Sequence, residues 1–298
     1  MADRPLEPWR HIHDEIATIA DRQLFFVGGA PRSGTTWVQQ ILDCHPEISC
    51  RGEGLFQKHL ANPLDALAAS RRAALEDKNA RLFAHTGGYP PPPPDDIDFL
   101  LGTAILLGLR RQSEGKACRA IGEKTPENVF FFPRLKQIFR GAKLIAVARD
   151  PRDVLTSAWH FFHQPVASED ETAAKFAFIR MAMPSLDQGA RAILEQEAAH
   201  PGDVAIVTYE SLRRTPEFVV GNMFRFLRVA GEPDIVADCV ARTSFQAQTG
   251  GRLAGETLNG AFLRNGIAGD WRSTLTPEMG DLVTRELGWM FPRFGWRM

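Results

Sequence analysis

Residues 25–38 run Phe25-Phe26-Val27-Gly28-Gly29-Ala30-Pro31-Arg32-Ser33-Gly34-Thr35-Thr36-Trp37-Val38, an apolar strand entering a small-residue turn and then a helical segment. A glycine-rich turn ahead of a helix leaves several backbone N–H groups unpaired and converging. The helix dipole adds positive potential there, so the turn suits an anion. The spacing Gly29-x4-Gly34-Thr35-Thr36 is nearly the phosphate loop of nucleotide-binding proteins, with two departures. Thr35 stands where that loop carries lysine, and a base, Arg32, lies inside the turn.

A second strand, Lys143 to Ala148, breaks at Arg149-Asp150-Pro151-Arg152-Asp153 into a helical pattern through Val154, Ser157 and Trp159. Pro151 suits the first turn of that helix. Arg149 leaves the strand at its carboxyl edge, where open α/β sheets bind ligands, and Ser157 lies further along the helix, so both reach toward one phosphate. Read alone, Arg149 and Asp153 would be a surface ion pair. With Phe25 to Gly28, Ala120 to Gly122 and Val204 to Val207 as further strands, the spacing between strands allows parallel crossovers. The expected fold is α/β, a single domain over residues 1–298 with a mostly parallel central sheet flanked by helices. Residues 1–22 form an N-terminal extension. Asp65 to Lys78 read as helix, and residues 85–97, with five prolines from Pro90 to Pro94, as an extended surface connector or a substrate-shaping lid.

The phosphate loop with its Pro-Arg-Ser-Gly-Thr-Thr-Trp resembles the 5′-phosphosulfate loop of sulfotransferases that use 3′-phosphoadenosine 5′-phosphosulfate. Arg149 and Ser157, eight residues apart, are similar to that family's 3′-phosphate pair. Phe262-Leu263-Arg264-Asn265-Gly266 and Gly269-Asp270-Trp271 resemble its C-terminal clamp, with Asn265 replacing a lysine and removing one charge. The resemblance implies a donor site of Arg32, Ser33, Gly34, Thr35, Thr36, Trp37, Arg149, Ser157, Tyr209, Thr243, Phe245, Arg264, Asn265 and Gly266. In it Trp37 and Phe245 would sandwich the purine, and Tyr209 and Thr243 would lie near its polar edge.

Sulfuryl transfer to a hydroxyl needs a base for the acceptor's proton and cations for the charge gathering on the bridging oxygen. Residues 42–53 resemble the segment leading to the catalytic glutamate of tyrosylprotein and carbohydrate sulfotransferases, which makes Glu53 the expected base. In the cytosolic small-molecule branch a histidine follows the lysine by two residues. Here that position is Pro126, which cannot accept a proton, so the resemblance shifts to the glutamate-base branch with Lys124 on the bridging oxygen and Arg32 on the 5′-phosphate. Glu123 is a secondary base candidate. His59, His160 and His163 lie near motifs but read as structural or exposed.

The expected reaction is direct transfer of a sulfuryl group from that donor to a hydroxyl or amine, leaving adenosine 3′,5′-bisphosphate, with no metal. The expected acceptor is a small molecule, sugar or peptide. A P-loop-type nucleotide kinase would need the missing loop lysine and an aspartate for magnesium. A non-catalytic nucleotide-binding module is the other alternative. Net charge −1, from 35 basic and 36 acidic side chains, gives no global field for nucleic acid. Phe99 to Leu109 is too short to span a bilayer and reads as a buried helix, so membrane insertion is not expected. Cys44, Cys50, Cys118 and Cys239 lack the spacing of a disulfide framework or a zinc site, which together with the polar N-terminus points to the cytoplasm. Oligomeric state is left open.

Overall fold

In the computed structural model, which describes residues 7–163, 170–258 and 260–298, helix α1 (Glu7–Ala20) leads into β1 (Gln23–Gly29), the central strand of the sheet. The chain continues through α2 (Thr35–Cys44), β2 (Ile48–Ser49), α3 (Asn62–Leu82), α4 (Pro94–Ser113), β3 (Ala120–Lys124), α5 (Asn128–Ile138), β4 (Lys143–Ala148), α6 (Pro151–Phe162), α7 (Glu171–Ala199) and β5 (Val204–Thr208). It ends with α8 (Tyr209–Arg214), α9 (Pro216–Phe226), α10 (Pro233–Arg242), α11 (Phe245–Gln248), α12 (Trp271–Thr274), α13 (Pro277–Glu286) and α14 (Met290–Phe294). The strands lie in the order β2-β3-β1-β4-β5, and every neighbouring pair is parallel.

A parallel sheet covered on both faces needs apolar side chains in both directions, and these strands supply them. Phe25, Val27, Ile145 and Val147 face one core with α2, α9 and α10. Leu24, Phe26, Leu144 and Ala146 face the other with α4 and α5. A third core joins α6, α7, α13 and α14 around Leu155, Met279 and Phe291.

Several elements differ from the sequence expectations. Strand β3 runs on to Lys124 and so carries Glu123 and Lys124 within the sheet, and both are buried. Strand β2 was not expected, since two residues are too short to show alternation. It is defined by pairing of Ile48 and Ser49 with Ala120 and Ile121. The connector expected over 85–97 is extended only to Pro93, because proline is well placed at the first position of a helix and Asp95 and Asp96 then favour the dipole of α4. The stretch Phe99 to Leu109 is half-buried rather than buried. Leu101, Ile105 and Leu109, four residues apart, face the core, whereas Phe99 and Leu100 are exposed. Among the described residues no helix is long and apolar enough to cross a membrane.

Candidate active site

The carboxyl ends of β1, β3, β4 and β5 open onto one cleft of about 390 Å³. Its floor is the turn after β1. Gly34 caps α2 at φ +103°, with no side chain bonding the first turn, so those N–H groups face the cleft with the positive end of the helix behind them. Only glycine fits there, because a Cβ would lie 2.8 Å from the Tyr209 ring. Arg32 is also left-handed, at φ +72°.

Three guanidinium groups converge on the cleft. Arg32 lies between the rings of Phe161 and Phe262, 4.3 and 4.7 Å from their centroids, with Nε donating to Ser157 Oγ (3.2 Å) and Nη2 to the Phe262 carbonyl (2.6 Å). Arg149 stacks 4.2 Å over Tyr209 and donates to the Arg32 and Ile267 carbonyls, and its buried Nε has no partner. Arg264 pairs with Asp270. Burial lowers the Arg32 pKa to about 10, helped by repulsion from Arg149 and Arg264. Burial and then Arg149 lower that of Arg264. Cations that depress one another in this way gain from an anion placed among them.

The ion pair that Arg149 and Asp153 would make on a surface does exist, at 3.9 Å, but it is buried. Asp153 also accepts from the Gly269 and Trp271 amides at 2.6 and 3.0 Å, which ties the loop before α12 to α6. Asn265 lines the cleft, but its Nδ2 donates to Asp270 (2.7 Å), so one amide hydrogen is already committed. Gly266, at φ +68°, lies under the Phe245 ring, where a Cβ would come within 2.3 Å of it. Trp37 makes an edge contact with Tyr209 at 5.7 Å.

At the other end, Glu53 Oε1 accepts from Lys124 Nζ at 2.5 Å, and Nζ also donates to Thr36 Oγ1 at 3.2 Å. Lys124 is 3% exposed and Glu53 42%, so the carboxylate faces solvent while its cation is fixed in the sheet. Glu123 neither faces solvent nor is free to act as a base. Its Oε1 accepts from the Gly54 amide (2.6 Å) and Thr125 Oγ1 (2.5 Å), and its Oε2 from Asn128 Nδ2 (2.8 Å). Burial raises its pKa against these bonds. Glu123 therefore holds the Glu53 loop to the sheet.

The cleft is thus lined by Arg32, Gly34, Thr35, Thr36, Trp37, Glu53, Arg149, Ser157, Tyr209, Phe245, Arg264, Asn265 and Gly266 of the expected residues. Lys124 reaches it through Glu53. Two others do not line it. Thr243 turns its hydroxyl back to the Cys239 carbonyl (2.6 Å), completing the end of α10, while its own carbonyl fixes Trp37 Nε1 at 2.8 Å. Ser33 is wholly buried behind the loop. Residues that the sequence reading did not assign also line the cleft: Phe161, Phe162, Arg213, Gln248, Phe262 and Ile267. The apolar pair ending α6, one turn beyond Ser157, was the available signal for the first two.

His59 is exposed on the π-helical turn Gln57–Ala61. His160 is held uncharged, its pKa lowered to about 4 by burial, then by Arg264 and Lys175. His45 accepts from the Glu47 amide and meets the Ala230 carbonyl, which leaves its ring nitrogens occupied. Asp150, the aspartate that a kinase reading would need, caps α6 and pairs with Arg152 through both oxygens. No residue of 83–93 lines the cleft, and Arg72 and Asn79 tie that connector to α3.

Residues 25–233 match the sulfotransferase family. Over 205 residues the chain is 28% identical to a Caenorhabditis briggsae protein assigned as a protein-tyrosine sulfotransferase, covering 69% of this chain and 65% of that protein, just under two thirds of its length. Over 288 residues it is 25% identical to sulfotransferase 1A1 of Bos taurus, covering 90% of this chain and 84% of the relative. Mouse sulfotransferase SULT7A1, solved in complex with PAP, superposes with a TM-score of 0.56 at 15% identity over 95% of this chain and 93% of that one. Sulfotransferase STF9 of Mycobacterium avium gives 0.56 at 13% identity, covering 98% and 82%. At those identities the structural likeness speaks to the fold alone.

Proposed function

The chain belongs to the sulfotransferase family, and from that premise we propose that it moves a sulfuryl group from 3′-phosphoadenosine 5′-phosphosulfate to an acceptor hydroxyl or amine, with Glu53 as base. One observation carries this reading: a cleft with three converging arginines over a bare helix N-terminus ends at a carboxylate paired with a buried lysine. The amides of residues 34–36, with Arg32, hold the 5′-phosphate side. Arg149 and Ser157 hold the 3′-phosphate, and Trp37 and Phe245 flank the purine. The unpartnered Arg149 Nε and the mutual repulsion of the arginines fit a doubly phosphorylated ligand.

Lys124 turns from Glu53 to the bridging oxygen as charge gathers there, and Glu53, released, takes the acceptor's proton. The acceptor oxygen or nitrogen forms its bond to sulfur as the bond from sulfur to the bridging oxygen breaks, and the electron pair leaves with adenosine 3′,5′-bisphosphate. Glu123 keeps Glu53 in register through the Gly54 amide. Phe161, Phe162 and Phe262 at the cleft favour an acceptor with an aromatic or other apolar body. Four free cysteines fit a cytoplasmic setting.

The test is calorimetry of the full chain with adenosine 3′,5′-bisphosphate and with adenosine 5′-monophosphate, followed by turnover of labelled donor on phenols, alcohols, sugars, amines and tyrosine peptides. Much tighter binding of the bisphosphate, with label on at least one acceptor, is expected. Equal affinity for the two nucleotides overturns the donor site. Binding without label transfer to any acceptor class overturns the catalytic reading.

A further inference from the structure

The polar group expected at the purine edge, the Thr243 hydroxyl, is committed to the Cys239 carbonyl. The Thr243 carbonyl is committed as well. It accepts from Trp37 Nε1 at 2.8 Å and from Gln248 Nε2 at 2.5 Å, which uses both of its lone pairs. One backbone oxygen thereby holds the indole and the Gln248 amide side by side. Gln248 lies three residues after Phe245 on α11, on the same face, and both line the donor cleft. With its nitrogen donating to a carbonyl, the amide has one orientation, which leaves Oε1 as the open atom; a flip would set two acceptors against each other. Oε1 accepts from no group among the described residues and yet, unlike the orphaned atoms of the interior, stays accessible.

The inference rests on the donor reading above, in which Trp37 and Phe245 flank a purine. An open acceptor beside those rings is matched only by a base that brings an N–H to it. Neither polar neighbour meets that demand. Arg213 offers donors alone, and Tyr209 stands at the phosphate-loop side, its ring against Gly34 and under Arg149. We propose that Gln248 is the specificity-determining residue for the base of the donor, its Oε1 accepting from the six-amino group of adenine. Hypoxanthine carries a carbonyl at that position, so two acceptors meet, and repulsion adds to the missing bond. A purine with hydrogen there loses only the bond. The rings supply stacking that any purine takes, and Gln248 supplies the choice among purines.

The test is calorimetry of the full chain with the 3′,5′-bisphosphates of adenosine, purine riboside and inosine. The adenosine compound should bind about three- to tenfold more tightly than the purine riboside compound, and the inosine compound should bind more weakly still. Gln248→Met, which keeps the length of the side chain and removes the amide, should weaken the adenosine compound to about the level of the purine riboside one and leave the latter unchanged. Gln248→Ala reads the same way if that variant does not fold. Equal affinity of the unmodified protein for the adenosine and inosine compounds would overturn the proposal. So would an equal loss for all three in Gln248→Met, which would assign Gln248 only to bracing Trp37 through Thr243. Both outcomes leave the donor reading standing. That reading fails, and this proposal with it, if adenosine 3′,5′-bisphosphate binds no more tightly than adenosine 5′-monophosphate.

Discussion

The two walls of the donor cleft are held by different means. Residues 30–37 rise from a strand bonded on both sides, to β3 and β4, and the turn is closed by backbone bonds from Gly29 to Pro126 and from Ser33 to Ala30. Residues 262–271 have little backbone pairing and are held by side chains. Arg252 donates to the Leu263 and Arg264 carbonyls, Arg32 to Phe262, and Arg149 to Ile267, while Asp153 accepts from Gly269 and Trp271. Arg32 and Arg149 thus serve the wall and the cleft at once. A phosphate entering the cleft competes with loop carbonyls for the same N–H groups, so placement of this wall and affinity for the donor are linked, whereas the sheet-borne wall stays fixed. Substitutions on the ion-held side should therefore act on loop placement and affinity together.

The largest effect should come at Glu53, beyond both walls. Glu53→Gln keeps shape and removes basicity, so turnover should fall roughly 100-fold or more with the Kd for adenosine 3′,5′-bisphosphate little changed. Lys124→Ala should lower turnover and weaken donor binding as well. Near-normal turnover of Glu53→Gln with an alcohol acceptor would show that Glu53 is not the base. Next in size, Arg149→Ala removes a charge-assisted contact of about 1.5 to 3 kcal/mol, so the bisphosphate should bind about ten- to a hundredfold more weakly and its preference over the monophosphate should largely vanish in calorimetry.

Asp153→Asn should cost about 1 to 3 kcal/mol of stability by weakening two buried amide contacts. Its signature is local: hydrogen exchange should quicken across residues 262–271 and stay unchanged at residues 24–29. Uniform quickening would mean that the two walls are not held independently. The smallest effect is on pH. The folded-state pKa of His160, about 4, lies below the ordinary 6.5, so between those values the unfolded chain binds more protons. The contribution is full above pH 6.5 and is lost as pH falls toward 4. Thermal melts should show a drop in Tm from pH 7 to pH 5 that is smaller in His160→Asn, and an identical drop in both proteins would remove His160 from the account.

The same contrast explains what could be read from the chain. The loop after β1 and the Arg149-to-Ser157 spacing are written in contiguous motifs whose backbone chemistry is local, and Glu53 and Lys124 were each named from their own segments, but their pairing across 71 positions was not. Thr243 was expected near the purine's polar edge but does not line the cleft, and its carbonyl instead meets Trp37 across 206 positions. Which face of the loop Ser33 takes, and that Asn265 is committed to Asp270, depend on packing that no spacing encodes. The aromatic residues Phe161, Phe162 and Phe262 gain their place only where α6 meets the C-terminal loop.

Arg32 occupies a left-handed backbone well that glycine enters freely and other residues enter at a cost of about 1 to 2 kcal/mol. Arg32→Gly would relax the turn but give up the stacking on Phe161 and Phe262 and the bonds to Ser157 and the Phe262 carbonyl. The strained turn is therefore held from across the cleft, so the phosphate loop keeps its shape only while the opposite loop stays in place.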